Sequence, residues 1–327
     1  MFRFSESYRI QAHCCSILWS LGTLHERYVK PMIANAGGVQ SILQALVNYG
    51  ANEMVQEYGC KALSAISTGM QMGTIEATQH DLAHVTIHAL RAHLTNPEIQ
   101  TSVFELIAFL CTKDNFFTKY FSTSEGIPLV IETMNRHIPN LPLQSAGITS
   151  LWSLASFGDN KRLIGEYGGL HAIINSLLFH INSSSLQKEG MTTLKNLATT
   201  SINKQIITQY RGEESILWCL WVNMDSPVVL GAAFSALNNI AVDTEHRRVT
   251  SVSSALVSCI LVAMRRFKTS ETVQTNACFL LKSYTFEPTN LALMVQRKNE
   301  FITVLTLAAR IFPKECGERA QLILSKL

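Results

Sequence analysis

DNKRLIGEYGGLHAIINSLL, Asp159 to Leu178, sets two apolar helical runs on either side of Gly168-Gly169, with Lys161 and Arg162 just upstream. Glycines, basic residues and a following helix can cradle a phosphate. They can equally make the corner between two packed helices. The rest of the chain decides between these readings.

A short motif, Leu-x-x-apolar-small, recurs along the chain. It reads LWSLG from Leu18, LSAIS from Leu63, IAFLC from Ile107, LWSLA from Leu151, LKNLA from Leu194, LNNIA from Leu237, LKSYT from Leu281 and LSKL from Leu324. The intervals are 45, 44, 44, 43, 43, 44 and 43 residues. Other columns keep the same register. Seven residues before the motif stand Gln11, Gln56, Gln100, Gln144, Gln187, Leu230, Gln274 and Gly317. Four residues before it stands a mostly small residue: Cys14, Gly59, Val103, Gly147, Gly190, Ala233, Ala277 or Ala320. A repeat of this period marks a stacked array.

Each unit reads as three helices. Lys161 to Tyr167 is a short first helix, broken by Gly168-Gly169. Leu170 to Ile181 is a second, with Leu170, Ile173, Ile174, Leu177 and Leu178 on one stripe. After the turn Asn182 to Ser185, a third runs from about Leu186 to Thr199 and carries the motif. The corresponding turns Asn96–Glu98, Pro139–Pro142 and Asp225–Pro227 hold strong helix punctuation.

With AGGVQSILQAL from Ala36, EGIPLVIETM from Glu125, YGGLHAIINSLL from Tyr167 and the Gln-headed third helices that follow them, the chain resembles armadillo repeats over nearly its whole length. The Asn-Lys opening of the first helix also recurs, in NKRLIGEYGG and NKQIITQYRG. The double glycine decays to Arg211-Gly212 and is absent near His80–His84 and Ser251–Ser254, so atypical corners are expected there. The resemblance implies an all-α fold: a right-handed α-solenoid, or superhelix, of about seven armadillo-type three-helix repeats, with third helices lining a concave groove. One repeat domain spanning 1–327 is therefore expected. The chain opens on a third helix near Ser5–Gly22 and stops on another at Leu327 without polar caps. A fragment of a longer protein, or ends covered by a partner, is the expectation.

Composition agrees. With 47% hydrophobic and only 16% charged residues, the chain can fill a large core and is not disordered. Residues 1–163 carry 11 Lys/Arg against 12 Asp/Glu, and 164–327 carry 16 against 12, which is far from a nucleic-acid footprint. No apolar run heads the N-terminus as in a secretory signal, and Phe2 stands where myristoylation needs Gly. No run is long enough to span a bilayer. Eight cysteines lie mostly in apolar helical runs without a Cys-x-x-Cys pair, as in an intracellular, cytoplasmic protein with reduced thiols.

No phosphate-loop, dinucleotide, zinc-protease or nucleophile-elbow motif appears, so no enzyme, cofactor or small-molecule substrate is expected. His80, His84 and His88 recur every four residues and share a helix face, which could hold zinc or be simply solvated; no fourth ligand lies nearby. His13 beside Cys14-Cys15 does not make a nucleophile pair, because adjacent helical residues point about 100° apart. Arg265, Arg266 and Lys268 form one basic cluster and His246, Arg247 and Arg248 another; both sit at helix ends, where such residues offset the helix dipole.

On each third helix the motif's second and third positions point off the buried stripe, and in armadillo proteins they look into the groove. Trp152, Lys195, Asn196, Asn238, Asn239 and Lys282 form the richest run. Asn can hold a peptide amide, Lys a carboxylate, and Trp an apolar anchor. The expected function is a non-catalytic scaffold or adaptor holding an extended, acidic protein segment. A regulatory armadillo segment of a larger enzyme such as a kinase is the alternative. A nuclear transport adaptor is less favoured, because no repeat carries the Trp–Asn ladder of those receptors.

Overall fold

The computed structural model describes residues 1–24, 28–243, 248–249 and 253–327. It divides into two compact units, Met1–Ala172 and Ile173–Leu327. The boundary falls inside one helix.

Unit 1 opens with α1 (Tyr8–Leu24), a third helix. The trio α2 (Val29–Asn35), α3 (Gly38–Asn48) and α4 (Glu53–Ser67) follows. Next come α5 (Met72–Ala92) and α6 (Pro97–Lys113), then α7 (Asn115–Thr123), α8 (Gly126–Arg136) and α9 (Leu141–Leu154). The unit ends with α10 (Asn160–Glu166) and the start of α11 (Gly169–Phe179). Third helices α1, α4, α6 and α9 pack side by side in that order.

Unit 2 takes the rest of α11 and continues with α12 (Ser184–Leu197), α13 (Ser201–Gln209), α14 (Gly212–Val222) and α15 (Pro227–Ala241). A two-residue antiparallel ladder follows, β1 (Val242–Asp243) with β2 (Arg248–Val249). The unit closes with α16 (Ser254–Arg266), α17 (Glu271–Tyr284), α18 (Pro288–Val295), α19 (Lys298–Ile311) and α20 (Pro313–Lys326). Here α12, α15, α17 and α20 are the stacked third helices.

The corners explain the trio. Gly168 takes a left-handed backbone, φ 87°, that turns α10 into α11. A Cβ on Gly169 would fall 2.6 Å from Ile164 Cγ2 and 2.8 Å from the Ile164 carbonyl, so the second helix starts hard against the first. The second glycine is the stricter one. Glu125 (φ 65°) and Arg211 (φ 52°) replace the first, while Gly126 and Gly212 remain.

At the same register stand Leu82, Leu256 and Asn299, and none of the three has this corner. With no breaker between Met72 and Ala92, first and second helices fuse into the 21-residue α5. Before Leu256 the described residues are those of the β1–β2 ladder, Val242–Asp243 and Arg248–Val249. At Asn299, α19 begins at Lys298 without a left-handed residue before it. The expectation of three helices in every unit is thus corrected at α5, and before Leu256 it falls largely on 244–247 and 250–252, outside the described residues. Of the corner expected near Ser251–Ser254, Ser251 lies outside the described residues.

The glutamine column caps helices. Gln144 is buried and donates from Nε2 to the Met134 and His137 carbonyls at 2.8 and 3.0 Å, closing the end of α8. Gln56, Gln100, Gln187 and Gln274 do the same for α3, α5, α11 and α16. Where Leu230 breaks the column, Asn223 serves α14, donating to the Cys219 carbonyl at 3.0 Å and to the Ile181 carbonyl at 2.8 Å.

The small column lets third helices approach second ones. A Cβ on Gly190 would sit 2.6 Å from Leu177 Cδ2, and one on Gly59 2.5 Å from Leu46 Cδ2. The motif leucines Leu63, Leu151, Leu194, Leu237 and Leu281 are buried with Ile107. Among the described residues no helix is long and apolar enough to cross a membrane.

Candidate functional site

The outward faces of the third helices differ between the units. In unit 2 they carry Lys195 and Asn196 on α12, Asn238 and Asn239 on α15, and Lys282 on α17. Lys195 is exposed and the other four are half-buried. The structure brings these residues together through hydrogen bonds between neighbouring helices. Asn239 Nδ2 donates to the Lys195 carbonyl at 3.0 Å, and Ser283 Oγ donates to Asn238 Oδ1 at 2.8 Å. Each asparagine therefore spends half of its amide on the stack. Asn238 keeps its Nδ2 donor and Asn239 its Oδ1 acceptor. Trp152 belongs to unit 1, on α9, and is 43% exposed.

Four further residues extend the unit 2 face. The Arg319 guanidinium on α20 lies 3.5 Å from the Phe279 ring centre on α17, and the Lys326 ammonium lies 3.9 Å from Phe286. Both pairs span 40 residues, so they are successive rungs of one ladder. Lys282 sits between the rungs. Lys326 is the third position of the last motif, which is the signal that could have located it. Arg319 lies five residues before that motif's leucine, outside the positions the motif marks. Among the described residues Lys195, Lys282, Arg319 and Lys326 form no ion pair with a carboxylate.

Unit 1 is the contrast. Lys61 Nζ lies 2.8 Å from Glu57, 2.9 Å from Glu98 and 5.1 Å from the Trp19 ring centre. Burial pulls the Lys61 pKa down, but the bonds to Glu57 and Glu98 outweigh it and hold the amine above its usual range. Ser64 Oγ donates to Glu105 Oε2 at 2.5 Å. The cation here is already satisfied within the fold.

The other sequence features resolve as follows. His80, His84 and His88 share one exposed face of α5. His84 stacks on His88 at 6.4 Å, while His80 packs edge-on against Phe116 at 4.5 Å. Among the described residues no group of three or more His, Cys, Asp or Glu could hold a metal ion. Cys15 is fully buried, and burial pushes its thiol up to about 12, so it is no nucleophile near neutral pH. Arg265 pairs with Glu300 at 2.5 Å and Arg266 pairs with Asp225. His246, Arg247 and the Arg248 side chain lie outside the described residues.

Residues 15–265 match the family model described as the GAC ARM domain. No curated protein sequence matches the chain. Among solved structures, a chain from work on a phosphorylation switch controlling the interaction between cadherin and β-catenin superposes with a TM-score of 0.74 at 17% identity. It covers 99% of this chain, which in turn spans only 60% of that one. A designed armadillo repeat protein in complex with the peptide (KR)4 aligns with a TM-score of 0.57 at 17% identity, over 75% of this chain and 98% of its own. An engineered protein aligns with a TM-score of 0.61 at 21% identity, over 72% of this chain and 92% of its own. These likenesses show the armadillo fold.

Proposed function

Because the chain belongs to the armadillo-repeat family, through its GAC ARM domain, we propose that it is a non-catalytic scaffold or adaptor that holds an extended acidic protein segment. The armadillo fold is typically a protein-binding scaffold. The finer reading places the segment on the third-helix face of unit 2. One observation carries it: Lys195, Lys282, Arg319 and Lys326 lie on stacked third helices with no carboxylate partner among the described residues, and two of them rest on aromatic rings. A stacked guanidinium keeps its N–H edge available for a carboxylate. Asn238 Nδ2 and Asn239 Oδ1 supply a donor and an acceptor for the segment's backbone, and Asn196 extends the face to a further contact; on unit 1, Trp152 is by itself an exposed apolar anchor for a protein segment.

Free, mostly buried thiols support an intracellular, cytoplasmic setting. The unbroken motif register supports a single repeat array over 1–327.

The test is titration with a fluorescein-labelled peptide of alternating Glu and Ser, against one of alternating Lys and Ser. The acidic peptide binds preferentially. Replacing Lys195, Lys282, Arg319 and Lys326 by Ala weakens it roughly tenfold or more, at about 0.5–1.5 kcal/mol per charged contact. Equal binding by a variant with unchanged helicity overturns the reading.

A further inference from the structure

Arg319 on Phe279 and Lys326 on Phe286 are two parallel rungs between α20 and α17, with cation-to-ring-centre distances of 3.5 and 3.9 Å. The cations stand seven residues apart on α20, and the rings seven apart on α17. Seven residues are nearly two helical turns, so both rungs lie on one face, about 10.5 Å apart along the helix axes. Lys282 stands between them, three residues past Phe279 and four before Phe286. Both rings are exposed and both cations half-buried, so the rungs can be reached from solvent.

The two cations are particular to α20. Arg319 lies five residues before the motif leucine and Lys326 two after it. In the other seven third helices the first position reads His, Tyr, Ser, Ala, Glu, Ala and Asn, and the second Ser, Ala, Phe, Ser, Asn, Asn and Ser, with no Lys or Arg at either. Each cation keeps donors to spare. Arg319 commits Nη1 to the Glu315 carbonyl and retains Nε and Nη2. Lys326 commits one hydrogen to the Thr285 carbonyl at 3.5 Å and retains two.

We propose, resting on the acidic-segment reading of this face, that it selects a segment with two adjacent acidic residues, one read by Arg319 and the next by Lys326. The face is a row across α12, α15, α17 and α20, so an extended segment that follows it crosses the α17–α20 seam between the rungs. Successive side chains of an extended chain point to opposite sides. Stacked sheets, each one strand with its side chains deep, lie about 10 Å apart, which is close to the separation of the rungs. The residue aimed at one rung is therefore followed directly by the residue aimed at the other. Acids two apart both face one rung and leave the other unmet. Lys282, between the rungs, lies under the backbone and donates to a peptide carbonyl.

The experiment titrates the full chain with fluorescein-labelled octapeptides of two Glu and six Ser, the Glu adjacent, two apart or three apart, beside an all-Ser control. The adjacent pair binds about tenfold more tightly than the other two, the scale of one charge-assisted hydrogen bond. Arg319→Ala and Lys326→Ala, with helicity unchanged, each remove that advantage. Changing the first Glu to Ser abolishes the effect of one variant and leaves that of the other, which assigns one acid to each rung. Equal binding by the three acidic peptides overturns the adjacent pair and leaves the acidic-segment reading standing. Tightest binding with the acids three apart also overturns it, because about 10 Å of extended chain then lies along α20 and not across it. Failure of every acidic peptide to exceed the all-Ser control overturns both.

Discussion

Arg319 lays its guanidinium 3.5 Å from the centre of the Phe279 ring, joining the last two third helices through a cation and an aromatic face. The ring takes one face of the guanidinium and Nη1 donates to the Glu315 carbonyl, so Nε and Nη2 are the donors left for a carboxylate. Arg319→Lys keeps the charge and loses the planar fork. It should weaken the acidic peptide several-fold while changing stability by less than about 1 kcal/mol, the scale of an exposed cation–π pair. Phe279→Ala should weaken the peptide similarly, because the guanidinium loses its shelf. Titration at several salt concentrations separates the two: only loss of charge, as in Arg319→Ala, flattens the salt dependence.

The corners predict effects of opposite sign. Gly169→Ala must displace Ile164, whose Cγ2 would lie 2.6 Å from the new Cβ, and should cost about 1–3 kcal/mol. Arg211→Gly relaxes a left-handed residue at φ 52° and should gain about 1 kcal/mol, less a few tenths for its exposed pairing with Glu214. Denaturation midpoints moving the same way in both variants would contradict the corner account.

Asn223 serves alone where its neighbours have a glutamine. It stands in for the Gln column at Leu230 and also ties α14 to the Ile181 carbonyl. Asn223→Ala leaves the Cys219 carbonyl with its backbone donor but removes the donor to the Ile181 carbonyl, and should cost about 0.5–1.5 kcal/mol. Restoring the column with Leu230→Gln in that background should recover part of the loss. Hydrogen exchange at the end of α14 is the local readout.

These cases show which parts of the molecule can be read without coordinates. The motif leucines are legible because each stacked repeat demands the same buried residue at the same register. The corners are legible at their second glycine, and Leu82 and Leu256 mark where the corner fails. The third-helix face is only half legible. Spacing places Asn238 and Asn239 on the outward side, but whether an amide faces solvent or a neighbouring helix depends on helix rotation, which spacing leaves open. Arg319 on Phe279 is a relation across 40 residues that no local pattern announces.

Glu300 links pH to the packing of α16 on α19. Hydrogen bonds from Arg297 first, and Arg265 second, hold its carboxyl down to about 2 from the usual 4.5. A depressed folded-state value means that the stabilisation is complete above about 4.5 and is lost as pH falls through about 2. The thermal midpoint of the wild type should therefore fall more steeply between those limits than that of Glu300→Gln. Above them the two differ by a constant offset. Parallel curves throughout would show that the two arginines do not act on Glu300 in solution.

The cysteines give a test of packing that needs no partner. Burial pushes Cys15, Cys60, Cys111, Cys219 and Cys259 up to about 12. At pH 8 such a thiol is ionised in about one molecule in ten thousand, and it is shielded as well. Cys278 and Cys316 are fully buried between α17 and α20. Cys14 is the exception, half-buried on α1 one residue from the fully buried Cys15. Ellman's reagent should find one fast thiol in the native chain, and Cys14→Ser should remove it. The other seven should react only as urea opens the stack, at the rate of opening and not of chemistry. A second fast thiol on α4, α6 or α17 would mean that the third helices do not pack in the register that the motif leucines impose.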